Sequence, residues 1–287
     1  MTRGDQKLAA APLKCAAVFV AAASLLGLAG CSKLAARDQL NKGVAAYRNA
    51  KYEEAIEHFK DAVNRDPQLL NAKLYLATAY KAQYIPGADT PDNVRNADEA
   101  IDMYQKVLDS NPGRESKVLA LKGIASIYYD EKKMDKSKEY DQKVLEVDPN
   151  DPETYYSIGV IDWGLSYQKR MAERAKIGLK PTDPLKDKKV CALLKQANGQ
   201  VIDEGMNMLS KAIELRPEYD DAMAYLNLMY REKADTECEN PDQQTADLKT
   251  ADDWLNKSMA TKKEREEKKK GPGGIVLDQP GNQQQQQ

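Results

Sequence analysis

Residues 36–69, ARDQLNKGVAAYRNAKYEEAIEHFKDAVNRDPQL, decide the fold. They hold two amphipathic helical segments and close on Asn64-Arg65-Asp66-Pro67. Proline lacks the N–H that continues a helix and pushes the residue before it out of helical conformation, so the chain turns there. The same closing recurs at Asp109-Ser110-Asn111-Pro112, Glu146-Val147-Asp148-Pro149 and Glu214-Leu215-Arg216-Pro217. Each follows one amphipathic helical segment and precedes another. Asp151-Pro152-Glu153 adds a cap residue, a first-turn proline and an acid near a helix N-terminus. Periodic self-similarity of this kind marks a repeat array, in which each unit buries its apolar face only against its neighbour.

The repeating unit resembles the tetratricopeptide repeat, a hairpin of helices A and B with small residues where the two touch. The first copy carries Gly43 in helix A, then Tyr52, Ala55, Phe59 and Ala62 in helix B, then Pro67. Gly43, Ala55 and Ala62 let the helices approach, and Phe59 fills the gap to the next hairpin. The second copy has Leu76, Ala77 and Tyr80, then Ala100, Tyr104, Val107 and Pro112. The third has Leu121, Ile124, Ala125 and Tyr128, then Ser137, Val144 and Pro149. It departs from the pattern at Asp141, where an aromatic is usual and Tyr140 is the candidate substitute. The fourth has Tyr155, Ile158 and Gly159, then Gly205, Leu209, Ala212 and Pro217. The fifth has Leu226 and Tyr230, then Ala251, Leu255 and Ser258, without a closing proline. The resemblance implies an all-α fold, a right-handed α-solenoid of about five hairpins over residues 36–270. Its repeats run 36–69, 70–114, 118–151, 152–219 and 220–262.

Three insertions, at 81–99, 163–204 and 231–250, fall at the A–B turns and so share one edge of the array. The longest is expected to lengthen both helices of its hairpin, breaking at Gly178–Pro184, with Gly199 a kink or boundary. Cys191 and Cys238 lie in the last two insertions. In an exported protein an oxidising compartment favours a Cys191–Cys238 disulfide, with two buried thiols as the alternative. The chain-entropy model assigns such a bridge roughly 4 kcal/mol. No Cys-x-x-Cys redox pair occurs in the sequence.

At the start of the chain, Arg3, Lys7 and Lys14 precede an uncharged, mostly apolar run from Cys15 to Gly30. That run is shorter than the roughly 20 residues of a spanning helix and reads as a secretory signal. It ends in Leu28-Ala29-Gly30-Cys31, which resembles the bacterial lipobox. The resemblance implies a signal peptide at 1–30, lipid on Cys31 and a tether at 31–35. Ser32, in place of an Asp, points to the outer membrane, with the array facing the periplasm and starting within about 20 Å of the bilayer. At the other end, Lys262–Lys270 reads as a solvated helix end and 271–287 as a disordered tail.

The net charge of -2 lacks the basic excess of a nucleic-acid-binding protein. His58 is the single histidine, and no nucleotide loop, metal-ligand spacing or nucleophile–His pair is present. No catalytic residue, cofactor or metal is expected. The tetratricopeptide resemblance places Arg37, Tyr47, Arg48, Asn71, Lys81, Lys122, Tyr129, Tyr156, Trp163 and Arg231 on the groove-facing side of the A helices. Tyr, Trp and Arg are the types that dominate interface hot spots. The chaperone-binding relatives clamp a terminal carboxylate with an Asn at a fixed position. Here that position holds Val44, Thr78, Ser126, Val160 and Leu228, so that activity does not carry over. The expectation is a membrane-anchored scaffold that binds a protein or peptide partner. The alternative is a periplasmic enzyme or small-ligand carrier with a pocket under the 163–204 insertion.

Overall fold

The structure, a computed structural model, describes residues 13–181 and 183–270. Residues 1–12 of the expected signal and the expected tail at 271–287 lie outside them. The described residues form ten helices and no strand. In chain order these are α1 (Leu13–Arg48), α2 (Tyr52–Arg65), α3 (Leu70–Gln83), α4 (Pro91–Asp109) and α5 (Arg114–Asp130). Then come α6 (Met134–Val147), α7 (Pro152–Lys176), α8 (Lys188–Leu215), α9 (Asp220–Ala234) and α10 (Pro241–Lys270). Odd-numbered helices are the A helices and even-numbered ones the B helices of five tetratricopeptide-type repeats. The chain divides into two compact units between Lys132 and Lys133.

The turns follow from the residues in them. Asp66 and Asp148, each just before a proline, accept the N–H of Gln68 at 3.1 Å and of Asn150 at 3.3 Å. This fixes the exit from the B helix as an Asx turn. Asp151 caps α7 by accepting from Glu153 N at 3.1 Å, ahead of Pro152 in the first turn. Asp187 caps α8, accepting from Lys189 N and Val190 N at 2.9 and 3.1 Å.

In the first unit, packing is apolar and close. Ala36 and Ala46 of α1 face Ala55, Ile56, Phe59 and Ala62 of α2, and all six are buried. A Cβ on Gly43 would lie 2.5 Å from the Phe59 ring, so only glycine admits that ring. Phe59 also stacks on Tyr75 of α3, centroids 5.6 Å apart, and so serves both its own hairpin and the next. Burying one such side chain contributes about 1.5–3 kcal/mol. In α4, Asn93, Ala97, Ala100, Tyr104 and Val107 are buried at spacings of four and three, the stripe of an amphipathic helix.

The second unit repeats the small-residue device, then departs from it. A Cβ on Gly159 of α7 would meet Leu209 of α8 at 2.5 Å. Leu209 belongs to a cluster with Ile202, Ala212, Tyr219, Ala222, Leu226 and Met229. Asp141, where an aromatic is usual, is itself buried and accepts a hydrogen bond from Ser157 Oγ of α7 at 2.6 Å. Tyr140, the candidate substitute, is half-buried with Lys143 over its ring. Of the pattern residues in the last B helix, Ala251 and Ser258 are buried and Leu255 stays 37% exposed.

All three insertions are mostly helix. The one at 81–99 contributes a loop at 84–90 and the front of α4. The one at 163–204 extends α7 to Lys176 and starts α8 at Lys188. Gly199 lies inside α8, which crosses it without a boundary.

Candidate protein-binding face

The A helices carry the residues assigned to a binding groove, and each unit has its own set. In the first unit Arg37 and Arg48 of α1 and Asn71 of α3 are exposed. Tyr47 is half-buried against Tyr52, ring centroids 5.3 Å apart, and burial pushes its hydroxyl pKa up. Lys81 is half-buried near Asp130 of α5. Burial lowers the lysine and raises the aspartate, while each charge opposes the other's shift. Lys122 and Tyr129 of α5 are half-buried, with Lys132 5.7 Å from the Tyr129 ring centre. This set presents basic and aromatic groups but no single cluster.

In the second unit the structure brings two of the three assigned residues together. Tyr156 and Trp163 both lie on α7 and both meet Tyr225 of α9 edge-on, at 5.6 and 5.2 Å between centroids. Tyr156 also contacts Tyr219 at 5.0 Å, and Trp163 stacks on Tyr167 at 5.1 Å. The result is a row of aromatic rings across two adjacent A helices, with Tyr156, Trp163, Tyr167 and Tyr225 only half-buried. The Trp163 indole Nε1 is shielded and has no acceptor. Arg231 does not join the row: it reaches Asp252 of α10 at 2.6 Å and Asn227 at 3.1 Å. Tyr225 and Tyr167 were not singled out in the sequence. Tyr167 lies four residues beyond Trp163 on one helix face, a signal that was available.

A second polar constellation lies under the 163–204 insertion. Arg170 and Arg174 of α7 reach Glu232 and Asp235 at the end of α9. Arg170 holds Glu232 at 2.9 Å and Asp235 at 2.7 Å, and Arg174 holds Asp235 at 2.6 Å. The same guanidinium groups donate to the carbonyls of Pro181, Lys180 and Asp183. Arg174 is fully buried. Burial pushes the Glu232 carboxyl up to about 7, against the opposing pull of Arg170. Beside this cluster Cys191 and Cys238 are joined, with Cα atoms 5.5 Å apart, and pack with Leu185 and Leu194. A third group links three helices of the same unit: Lys138 of α6 meets Asp162 of α7 at 2.7 Å and Glu204 of α8 at 2.8 Å. Asp162 is fully buried, and desolvation pushes its pKa up to about 6. Among the described residues no group of three or more His, Cys, Asp or Glu is placed to hold a metal ion.

Residues 39–69 and 123–151 match one tetratricopeptide repeat profile, and residues 71–113 match another. The chain carries tetratricopeptide repeats. Both profiles stop before the two insertions of the second unit, which spread the repeat residues apart. Among solved structures the chain is similar to MamA 41-end from Desulfovibrio magneticus RS-1, at 17% identity and TM-score 0.51. That match covers 80% of this chain and 96% of that one. A MamA RS-1 double mutant matches at 17% identity and TM-score 0.53, over 81% of this chain and 97% of that one. Likeness at this identity speaks for the fold alone. Comparison with curated proteins gives no match.

Proposed function

We propose that this chain is a protein-binding scaffold of the bacterial cell envelope, lipid-anchored through Cys31 at the outer membrane and facing the periplasm. The A-helix faces of its tetratricopeptide repeats present the binding surface to a protein or peptide partner. The observation that carries the binding half is the half-exposed row Tyr156, Trp163, Tyr167 and Tyr225 across α7 and α9. Rigid aromatic side chains supply large contact area at low entropic cost, which is why they concentrate binding energy. Tetratricopeptide arrays stack into such surfaces because each hairpin leaves one helical face uncovered.

The anchoring half rests on the Leu28–Cys31 motif and on the place of Cys31. That cysteine is exposed, and its neighbour Ser32 donates to the Arg65 carbonyl at the end of α2 at 2.7 Å. Lipid on Cys31 would thus be held beside the first repeat, close to the bilayer. Among the described residues no helix is long and apolar enough to cross a membrane.

Crosslinking in intact cells followed by pull-down tests the binding half. Defined envelope proteins are expected with the native chain, and Trp163→Ala with Tyr225→Ala removes them. A copurified small molecule with no protein partner overturns it. Metabolic labelling with a fatty acid tests the anchor: label should appear on the chain and vanish in Cys31→Ala.

A further inference from the structure

Between Lys176 and Lys195 the longest insertion holds six lysines and two acids. All six lysines are exposed. The two acids are engaged by the backbone: Asp183 accepts from Lys180 N at 2.7 Å, and Asp187 caps α8. Lys176 pairs with Glu173 at 2.8 Å. Among the described residues Lys180, Lys186, Lys188, Lys189 and Lys195 make no ion pair, and Glu237 and Glu239 beside Cys238 meet none of them. Lys188 and Lys189 stand in the first turn of α8. A cation there opposes the helix dipole, so helix stability does not account for them.

The surface that carries these lysines is held in shape. Arg174 donates to the Lys180 and Asp183 carbonyls and Arg170 to that of Pro181. The Cys191–Cys238 bridge packs beneath with Leu185 and Leu194. Aliphatic side chains lie among the lysines. Ile177 and Leu193 are exposed, 39% and 42% accessible, and Leu179 and Val190 are half-buried. Leu193 shares a face of α8 with Lys189, four positions before it.

Composition decides between partners. Protein interfaces concentrate Tyr, Trp and Arg and are poor in Lys. Here the insertion's arginines, Arg170 and Arg174, are buried, and no aromatic residue occurs from Lys176 to Lys195. A lysine is a hydrated point charge on an apolar stem. Lysines set among aliphatic side chains suit a bilayer surface, where the ammonium meets a headgroup phosphate and the stem meets the acyl boundary.

We propose that the exposed side of the 163–204 insertion is a peripheral membrane contact that lies on anionic lipid headgroups. The five unpaired lysines meet the phosphates, and Ile177 and Leu193 enter the boundary between headgroups and acyl chains. This contact depends neither on Cys31 nor on the A-helix faces.

The test uses the full chain with Cys31→Ala, so that no acyl anchor contributes. The probes are vesicles of phosphatidylcholine alone or mixed with an equal part of phosphatidylglycerol. Residues 1–30 also carry basic and apolar groups, so the readout is amide exchange on the insertion itself. Mixed vesicles should slow exchange across residues 177–195 about fivefold or more, and phosphatidylcholine alone should not. Lys186→Glu with Lys188→Glu and Lys189→Glu should abolish the slowing, each lysine near an anionic surface being worth about fivefold in binding. Acids in that first turn suit the dipole of α8, so the variant keeps its fold, which the tryptophan-monitored unfolding checks. Adding Trp163→Ala should leave the slowing in place, so this contact can fail while the anchor and the A-helix face stand. Equal slowing by both vesicles, no slowing at 177–195, or slowing that survives the triple reversal overturns the proposal. Slowing by a polyglutamate peptide but not by the mixed vesicles also overturns it, by making the occupant an acidic protein.

Discussion

The first unit packs its helices with Phe59 seated in the gap at Gly43 within a hairpin and Tyr104 against Gly123 between two repeats. The second closes its edge with Arg174, fully buried among Asp235 and the carbonyls of Lys180 and Asp183. Tyrosines aside, Asn93 is the one buried polar side chain among the first unit's residues whose burial is described, whereas Asp162, Arg170, Glu173, Arg174, Asn198 and Glu232 are all buried in the second. The difference follows the insertions. Lengthening α7 and α8 beyond the repeat creates surface that no neighbouring hairpin can cover. The chain folds that surface on itself with a disulfide, a small apolar cluster and an ion cluster that ties the loop at 177–187 to the end of α9. A short insertion such as 81–99 needs only one asparagine to hold its loop.

This contrast can be broken most easily at Arg174. Its truncation takes from Asp235 one of its two arginines, leaving Arg170, and frees the Lys180 and Asp183 carbonyls, and breaking a buried ion pair costs about 3–5 kcal/mol. Urea unfolding followed by tryptophan fluorescence should show that loss for Arg174→Ala, because Trp163 and Trp254, the chain's two tryptophans, both lie in the second unit. A loss below about 1 kcal/mol, within the range of an exposed pair, would remove the distinction. Next in size is the disulfide: Cys191→Ser with Cys238→Ser is expected to cost about 2–4 kcal/mol by the same readout. In the first unit Gly43→Ala forces the Phe59 ring aside and should cost about 1–3 kcal/mol, the usual range for overpacking. Amide exchange in α1 and α2 reports it.

The pH dependence sharpens the comparison further. Glu232 ionises near 7 in the folded chain against 4.5 as its ordinary value, and Asp162 near 6 against 3.8. The folded state therefore keeps protons that the unfolded state has lost, so stability fully present below about pH 4 falls as the pH rises and is lost by pH 6–7. Above pH 5 about two units of the Glu232 shift and one of the Asp162 shift remain, so up to about 4 kcal/mol should separate pH 5 from pH 8 in the tryptophan-monitored transition, each pKa unit being worth about 1.4 kcal/mol. The smallest effect belongs to an exposed pair: Lys42→Ala removes the 2.7 Å contact with Asp38 in α1 and should change stability by about 0.5 kcal/mol or less.

Much of this was legible in the sequence. The Asp-Pro closings at Pro67 and Pro149 locate the turns because proline and an Asx turn allow few alternatives. Gly43 and Phe59 identify a hairpin because a close approach needs both partners. Trp163 and Tyr156 were correctly set on an A helix, but their meeting point, Tyr225, lies on another helix 62 positions beyond Trp163 and has no local signature. Arg170 and Arg174 were not singled out in the sequence, where their spacing fits any charged helical face. Their burial depends on a loop and on the end of α9, which only the fold brings near. The same holds for Glu53, Glu54 and Glu57, a solvated helical face by periodicity and one wall of a cleft in three dimensions.

Hydrogen exchange of the full chain, oxidised and then reduced, tests most directly whether the insertion-bearing edge is held by its own covalent and ionic cluster. Reduction should speed amide exchange at least tenfold across residues 177–200 and 235–245 and leave residues 39–130 unchanged. Unchanged protection across the insertion, or a loss spread evenly over both units, would contradict the account.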